Sequence, residues 1–421
     1  MHAEIVGIGT ELLLGEIENS NARWISERLA EIGVDVLHHQ VVGDNVERIA
    51  AAFHLALSRS DVVIATGGLG PTQDDVTREA LAAALGVRLV RDRGIEEAIR
   101  ARFARMGREM PESNLRQADV PERGRVIAAR RGTAPGLVCE VGSSRIYVLP
   151  GVPAEMQEMM EENVLPELAR AAGPSAIVSR AIRCVGIAES KVAELVDDLF
   201  HASANPTVAF LAGGGEVRVR LTAKARTREE AEALIAPLAA EVERRLGDVV
   251  YATNAASLEE VVGHLLASTG RTLACAESLT GGELGARITS VPGASAYFLG
   301  SAVCYSAASK RDVLGVPAEV LEVAGPVSRE CAQAMARGAR ALFGAELAVA
   351  LTGAAGPEPH GSAERGLVWV ALEADGGTSH QRAIRAPGDR SMVRRWAEQA
   401  ALDLIRRHLS GLPLPESDRV V

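Results

Sequence analysis

The sequence predicts a three-part α/β protein: an open, parallel-type sheet with helices on both faces, then a small α+β module, then a second α/β domain. Three observations predict it. Strand-like runs alternate with amphipathic helical stretches from residue 3 to about 172, and again from 256 to about 410. Between them, residues 175–253 read strand, helix, strand, strand, helix. The 421 residues, 47% hydrophobic and 24% charged, exceed one ordinary core and describe a globular chain. The expected divisions are 1–172, 173–255, 256–411 and a fraying tail at 412–421.

In the first block the strands are Ile5–Gly9, Val34–Val42, Asp61–Thr66 and Arg145–Leu149, apolar runs short enough for buried strands. Ile25, Leu29 and Ile32, spaced four and three, give a helix its apolar stripe. Gly173-Pro174 punctuates the end. The middle module has strands in Ala176–Val185 and Val208–Ala225, the latter folded at Gly213-Gly214-Gly215. Val217, Val219 and Leu221 alternate with Arg218, Arg220 and Thr222, so one face is buried and the other basic and wet. No catalytic constellation stands in this module. It reads as a linker or dimerisation unit, with RNA or protein binding through Arg218 and Arg220 as the alternative. In the third block the strands are Thr272–Ala276, Phe298–Tyr305, Glu346–Leu351, Leu367–Glu373 and His380–Arg385, followed by a helix from about Asp389 carrying Val393, Trp396, Ala400 and Leu404 on one face.

Composition narrows the function. A net charge of −10 with 6 Phe, 3 Trp and 4 Tyr supplies neither the basic groove nor the stacking platforms of a nucleic-acid binder. The five cysteines (139, 184, 275, 304 and 331) form no Cys-x-x-Cys pair and read as small core residues. No apolar run approaches the roughly 20 residues that span a bilayer, and Ala3–Gly9 opens the chain as a strand without a basic leader. A cytoplasmic protein with small-molecule substrates is expected. Of 45 basic residues only Lys191, Lys224 and Lys310 are lysine. Where positive charge alone is needed the chain uses Arg. An amine, unlike a guanidinium, can lose its proton and act as a base, so each lysine raises the question of chemistry, with chance survival the favoured reading for Lys191 and Lys224.

Two sets of loops follow strands. The first holds Gly9–Gly15, Val42-Gly43-Asp44-Asn45, and Thr66-Gly67-Gly68-Leu69-Gly70-Pro71-Thr72-Gln73-Asp74-Asp75. Glycines at a strand end let backbone N–H groups approach a phosphate, which suits Gly67, Gly68 and Gly70. Asp44 and Asp75 are candidate ligands of a divalent metal or of a pyrophosphate site. Asp74 serves equally as a metal ligand or as the cap of a helix beginning at Val76. The second set holds Ala276-Glu277-Ser278-Leu279-Thr280-Gly281-Gly282, Tyr305-Ser306-Ala307-Ala308-Ser309-Lys310, and Leu351-Thr352-Gly353. A Ser on a strand-to-helix turn suits a nucleophile beside an oxyanion hole, a phosphate cradle or a plain helix cap. Ser278, Tyr305, Lys310 and Thr352 at strand ends can converge, and a neutral Lys activating a Ser cleaves amides without His. Thr280 is the rival of Ser278. Gly281, Gly282 and Gly353 offer backbone contacts to a substrate.

These motifs resemble the CinA family over nearly the whole chain. The Thr66–Gly70 turn, Asp75-Val76-Thr77, Asp44 and Leu149-Pro150-Gly151-Val152-Pro153 are similar to the molybdopterin-binding fold of the CinA N-terminal domain, and Gly9-Thr10-Glu11-Leu12 to its CinA version. Ala276–Gly282, Tyr305 with Lys310 five residues on, Thr352–Pro357 and Gly388-Asp389-Arg390 resemble the CinA C-terminal domain, known also as a stand-alone nicotinamide-nucleotide amidase. The resemblance implies that the C-terminal domain deamidates nicotinamide mononucleotide to nicotinate mononucleotide and ammonia, without a cofactor. Ser278 would attack the carboxamide, Lys310 carry protons, Tyr305 and Thr352 orient or polarise the substrate, and Arg390 hold its phosphate. It also implies metal-dependent hydrolysis of ADP-ribose in the N-terminal domain, where Thr10 and Glu11 join the substrate contacts, and a homodimer. A partner protein of competence or DNA-damage responses, binding nucleotide or pterin without turnover, is the rival expectation. Two departures from the family pattern stand out: Leu279 replaces a usual Cys, and residues 358–366 lack a glycine-threonine run.

Overall fold

The computed structural model describes residues 1–202, 204–361 and 363–414. They divide into two compact units, Met1–Val178 with Ala223–Ala233, and Ser179–Thr222 with the residues from Leu234 onward.

The N-terminal strands are β1 (His2–Ile8), β2 (Asp35–Val42), β3 (Val62–Thr66), β4 (Leu89–Arg91), β5 (Asp119–Pro121), β6 (Arg125–Ile127), β7 (Gly136–Val141) and β8 (Ser144–Leu149). The main sheet runs β2-β1-β3-β8-β7-β6, while β4 and β5 pair as a separate ribbon. From β2 to β8 neighbours are parallel, as expected, but β7 and β6 are antiparallel, so the sheet is mixed. The cause is local. Only Gly142 and Ser143 join β7 to β8, and two residues can reverse a chain but cannot carry a crossover. β3 is buried at every position, as a central strand covered on both faces must be. Along β1, Val6 and Ile8 pack with Phe53 and Leu81, whereas Ala3 and Ile5 pack with Ile25, Leu29 and Met156. That alternation fixes the register and brings the carboxyl ends of β1, β2, β3 and β8 to one edge.

The middle module comprises β9 (Ala176–Val185), a helix (Glu189–Ala202), β10 (Thr207–Gly213), β11 (Glu216–Ala225), a helix (Arg228–Leu246) and β12 (Val250–Ala252), with strand order β10-β11-β9-β12. Gly214 and Gly215, at φ 60° and 85°, make the two-residue hairpin. Val217, Val219 and Leu221 are buried and Arg218 and Arg220 exposed, following the sequence alternation.

The C-terminal strands are β13 (Leu273–Glu277), β14 (Phe298–Val303), β15 (Leu347–Gly353), β16 (Leu367–Ala374) and β17 (Ser379–Arg385), ordered β14-β13-β15-β16-β17. The first three are parallel and the last two antiparallel. Leu273, Cys275, Leu347 and Val349 face the helices Leu258–Thr269 and Arg390–Leu409. Ala274, Ala276, Ala348 and Ala350 face the helix Arg329–Phe343, their small side chains letting it lie close. All five cysteines are free and buried. No helix among the described residues is long and apolar enough to cross a membrane. The expected fraying does not begin at Leu412: its N–H donates to Arg407 O at 2.9 Å, and Arg407 Nη1 donates to Pro413 O at 2.9 Å. The rest of the expected tail, 415–421, lies outside the described residues.

Candidate active sites

The N-terminal cavity, about 580 Å³, opens at the carboxyl edge of the sheet. Glu11, Asp44, Gly67, Gly68, Gly70, Asp74 and Asp75 all line it. Thr10 stands behind this wall, its N–H and Oγ1 both donating to Asp44 Oδ2 at 2.8 Å, so Asp44 ties the first loop to the second. Gly67 and Gly68 have φ of 116° and 66°. A Cβ on Gly67 would stand 2.0 Å from Ile8 O, and one on Gly68 2.1 Å from Thr77 Oγ1. The turn is therefore closed to every other residue type. Asp75 clamps its own loop, accepting from Gly70 N–H and Thr72 N–H at 2.8 Å each and from the Thr72 hydroxyl.

Asp74 is not the expected helix cap: the helix runs Thr77–Leu85, and Val76 precedes it without a side-chain cap. Among the described residues, no group of three or more His, Cys, Asp or Glu side chains could hold a metal ion. Asp44, Asp74 and Asp75 share a cavity, but two of them already serve as loop clamps, and they do not gather into the ligand set expected of them.

Two neighbours went unread in the sequence. Arg78, 1% exposed, donates to Leu69 O at 2.6 Å and Gly70 O at 2.7 Å, fixing the glycine turn from below. Glu155 lines the same cavity. Burial pushes its carboxyl pKa up, against the pull of Arg102.

The C-terminal cavity, about 440 Å³, lies where β13, β14 and β15 end. Ser278, Leu279, Tyr305, Lys310, Gly353 and Arg390 line it, with the carbonyl-bearing Pro326 and the loop Gly356–His360. Lys310 is 2% exposed. Its Nζ donates to Pro326 O and to Thr352 Oγ1, each at 2.9 Å, and the Thr352 hydroxyl donates to Pro326 O at 2.6 Å. Both partners are neutral oxygens, so burial pushes the lysine pKa down, with only the Cys331 and Cys304 thiols opposing. A neutral amine has two hydrogens and one lone pair. Two donated bonds consume the hydrogens and leave the lone pair for a proton.

Thr352 is wholly buried, behind the cavity wall. Across the cavity Arg390 Nη2 donates to Tyr305 Oη at 2.7 Å, and Nη1 to Gly356 O at 2.8 Å. Asp389, capping the last helix through Met392 N–H at 2.9 Å, sets Arg390 at the start of that helix.

The glycine turn after Ser278 does not face the cavity as a phosphate cradle. Glu277, fully buried, accepts from Gly282 N–H at 2.9 Å, Leu284 N–H at 3.1 Å, Gly285 N–H at 2.9 Å and Ser301 Oγ at 2.7 Å. The donors that a helix start would offer a phosphate are thus filled from within. Thr280 and Gly281 are likewise absent from the cavity wall. Thr280 is fully buried, and its carbonyl accepts from Arg394 Nη2 at 2.7 Å. The loop expected to depart from the family pattern brings Glu358, Pro359 and His360 to the cavity, so a histidine stands at this site after all. Ser362 of that loop lies outside the described residues.

Two sites, each at the carboxyl edge of the parallel strands of its own α/β domain, define a chain that joins a molybdopterin-binding-like domain to a CinA-type C-terminal domain. The comparisons agree domain by domain. Residues 4–170 match the family model "Probable molybdopterin binding domain", 179–252 the "Damage-inducible protein CinA KH domain", and 255–409 the "CinA C-terminal domain". The chain belongs to the CinA family. It is 48% identical to a CinA-like protein of Frankia casuarinae over 425 residues, covering 99% of this chain and 98% of the relative. It is 44% identical to a CinA-like protein of Dictyoglomus thermophilum, covering 98% of this chain and 100% of that one. Among solved structures, the protein CinA of Thermoplasma acidophilum is 36% identical at a TM-score of 0.38, covering 40% of this chain and 97% of that one.

Proposed function

We propose that the C-terminal domain is an amidohydrolase that converts nicotinamide mononucleotide to nicotinate mononucleotide and ammonia. One observation carries this reading: a buried lysine with two neutral oxygen partners lines the same cavity as Ser278. Ser278 Oγ attacks the carboxamide carbon as Lys310 Nζ takes its proton. Lys310 then gives that proton to the departing nitrogen, which leaves as ammonia. Water, deprotonated by Lys310, attacks the acyl-serine, and the proton returns to Ser278 as nicotinate mononucleotide leaves. Arg390, held by Tyr305 and Gly356 O, supplies the fork that suits a nucleotide phosphate. Thr352 orients Lys310 rather than the substrate. The test is ammonia release from nicotinamide mononucleotide by the wild type and by Lys310→Met. Loss in the variant supports the reading, and no release by a folded wild type overturns it.

The N-terminal cavity favours a second activity on a nucleoside diphosphate such as ADP-ribose. The glycine turn at a strand end supports that reading, since its backbone can lie against a pyrophosphate. The middle module holds no Gly-x-x-Gly, the loop with which KH domains clamp a nucleic-acid backbone, which favours small-molecule substrates over nucleic acid. A cytoplasmic homodimer remains the expectation that accompanies this reading.

A further inference from the structure

Beside the N-terminal cavity lies a second one of about 370 Å³, and the two share Arg102, Gly132 and Thr133. They are lobes of one cleft, each of a size that a small-molecule site takes, roughly 300–1,000 Å³. Their walls differ in kind. The first carries carboxylates and the glycine turn. The second is made of Ile95, Ala98, Ile99, Val126, Ala129 and Pro135, with Arg102 and Arg105 as its cations; its one carboxylate, Asp92, already caps its helix by accepting from Ile95 N–H at 3.0 Å. These two arginines, three residues apart on the helix Arg93–Arg105, share one helix face. One guanidinium N–H of Arg102 is spent on Arg130 O at 2.8 Å.

We propose that this second lobe holds the base of the nucleotide whose diphosphate lies at the glycine turn, and that the base is a purine-like flat ring stacked on Arg102 or Arg105. The inference rests on the reading of the first lobe as a diphosphate site. A ligand filling both lobes must be anionic at one end and apolar at the other, with the shared Gly132 and Thr133 beneath its middle. A planar guanidinium packs on the face of an aromatic ring, which supplies the stacking that a wall poor in aromatic side chains otherwise lacks. An alkyl chain would use the aliphatic wall and give neither guanidinium a face to pack on, which favours the base.

Ala98 is exposed on its helix and lines the lobe, so Ala98→Trp fills the lobe without disturbing a core position. Ala101→Trp, at a second exposed lining position, guards against a local folding fault. The experiment is equilibrium binding of ADP and of inorganic pyrophosphate to the full chain, wild type and both variants, with thermal melting as the control of folding. The wild type binds ADP at least about tenfold tighter than pyrophosphate, and either variant erases that advantage while leaving pyrophosphate binding unchanged. Equal wild-type affinity for the two ligands, or an advantage that survives both variants, overturns the base lobe and leaves the diphosphate site standing. A wild type that binds neither ligand overturns both.

Discussion

Replacing Lys310 with methionine separates its proton chemistry from its packing. The methionine keeps the buried stem and loses two hydrogen bonds. Pro326 O is not orphaned, because the Thr352 hydroxyl still donates to it at 2.6 Å. The cost to stability near neutral pH is therefore small, about 1 kcal/mol or less. The pH dependence is more informative. Burial holds the folded-state pKa of Lys310 below its ordinary 10.5, so between those two values the unfolded chain binds more protons than the folded one. Wild-type stability, measured against the variant, must then rise with pH across that window by up to about 1.4 kcal/mol per pH unit. That contribution is complete above 10.5 and is lost as pH falls through the lowered value. The same lowered value must set the acid limb of kcat/KM for ammonia release, since only the neutral amine accepts the serine proton. Urea unfolding of both proteins from neutrality to pH 10.5, beside the pH–rate profile of the wild type, measures both curves. The variant should lose about 10²–10⁴-fold in rate. Stability curves that run parallel across the whole range would mean Lys310 stays charged, and the reasoning would be refuted even if the variant were inactive.

Glu277→Ala leaves three backbone N–H groups and the Ser301 hydroxyl without their acceptor, at about 1–3 kcal/mol each before relaxation. A net loss of about 3–5 kcal/mol, read by denaturant unfolding, should accompany the fall in amidase rate, and a variant as stable as the wild type would contradict the clamp. Gly67→Ala drives a Cβ against Ile8 O and should abolish ADP binding while ammonia release, measured on the same sample, stays at the wild-type rate. Burial and the facing carboxyl of Glu283 push Glu398 up to about 7, against the pull of Arg287. Its contribution is thus whole below 4.5 and is lost as pH rises through about 7. Glu398→Gln should flatten that decline, and melting temperatures at acid and alkaline pH that fall in parallel for both proteins would rule it out.

What the sequence conveyed follows from where information is local. β3, β13 and β15 were legible because a central parallel strand must be apolar along its whole length. Lys310 was legible because the chain otherwise spends arginine on charge. β7 was not read. Its pairing depends on a two-residue turn whose glycine sits among other small polar residues, and it turned an expected parallel sheet into a mixed one. The turn 277–282 shows a second limit. Ser278 and Thr280 are two residues apart, yet one lines the cavity and the other is sealed behind it. An irregular turn has no period from which to read side-chain direction. Glu277 looked like part of a motif, whereas its work is set by Ser301, which meets it only once β13 and β14 pair.

The last helix closes what the first C-terminal strand begins: Arg394 holds the carbonyl of Thr280, and Arg390 holds Tyr305. This has a consequence for how the two sites come into being during translation. The N-terminal cavity draws its wall from residues up to Glu155, whereas the C-terminal one waits for residues about 240 positions further on. At 5–20 residues per second, the first pocket has its full set of residues roughly 12–50 s before the second. Through that interval the nascent chain carries one complete site and one unfinished one, and a stall before Arg390 would leave it so.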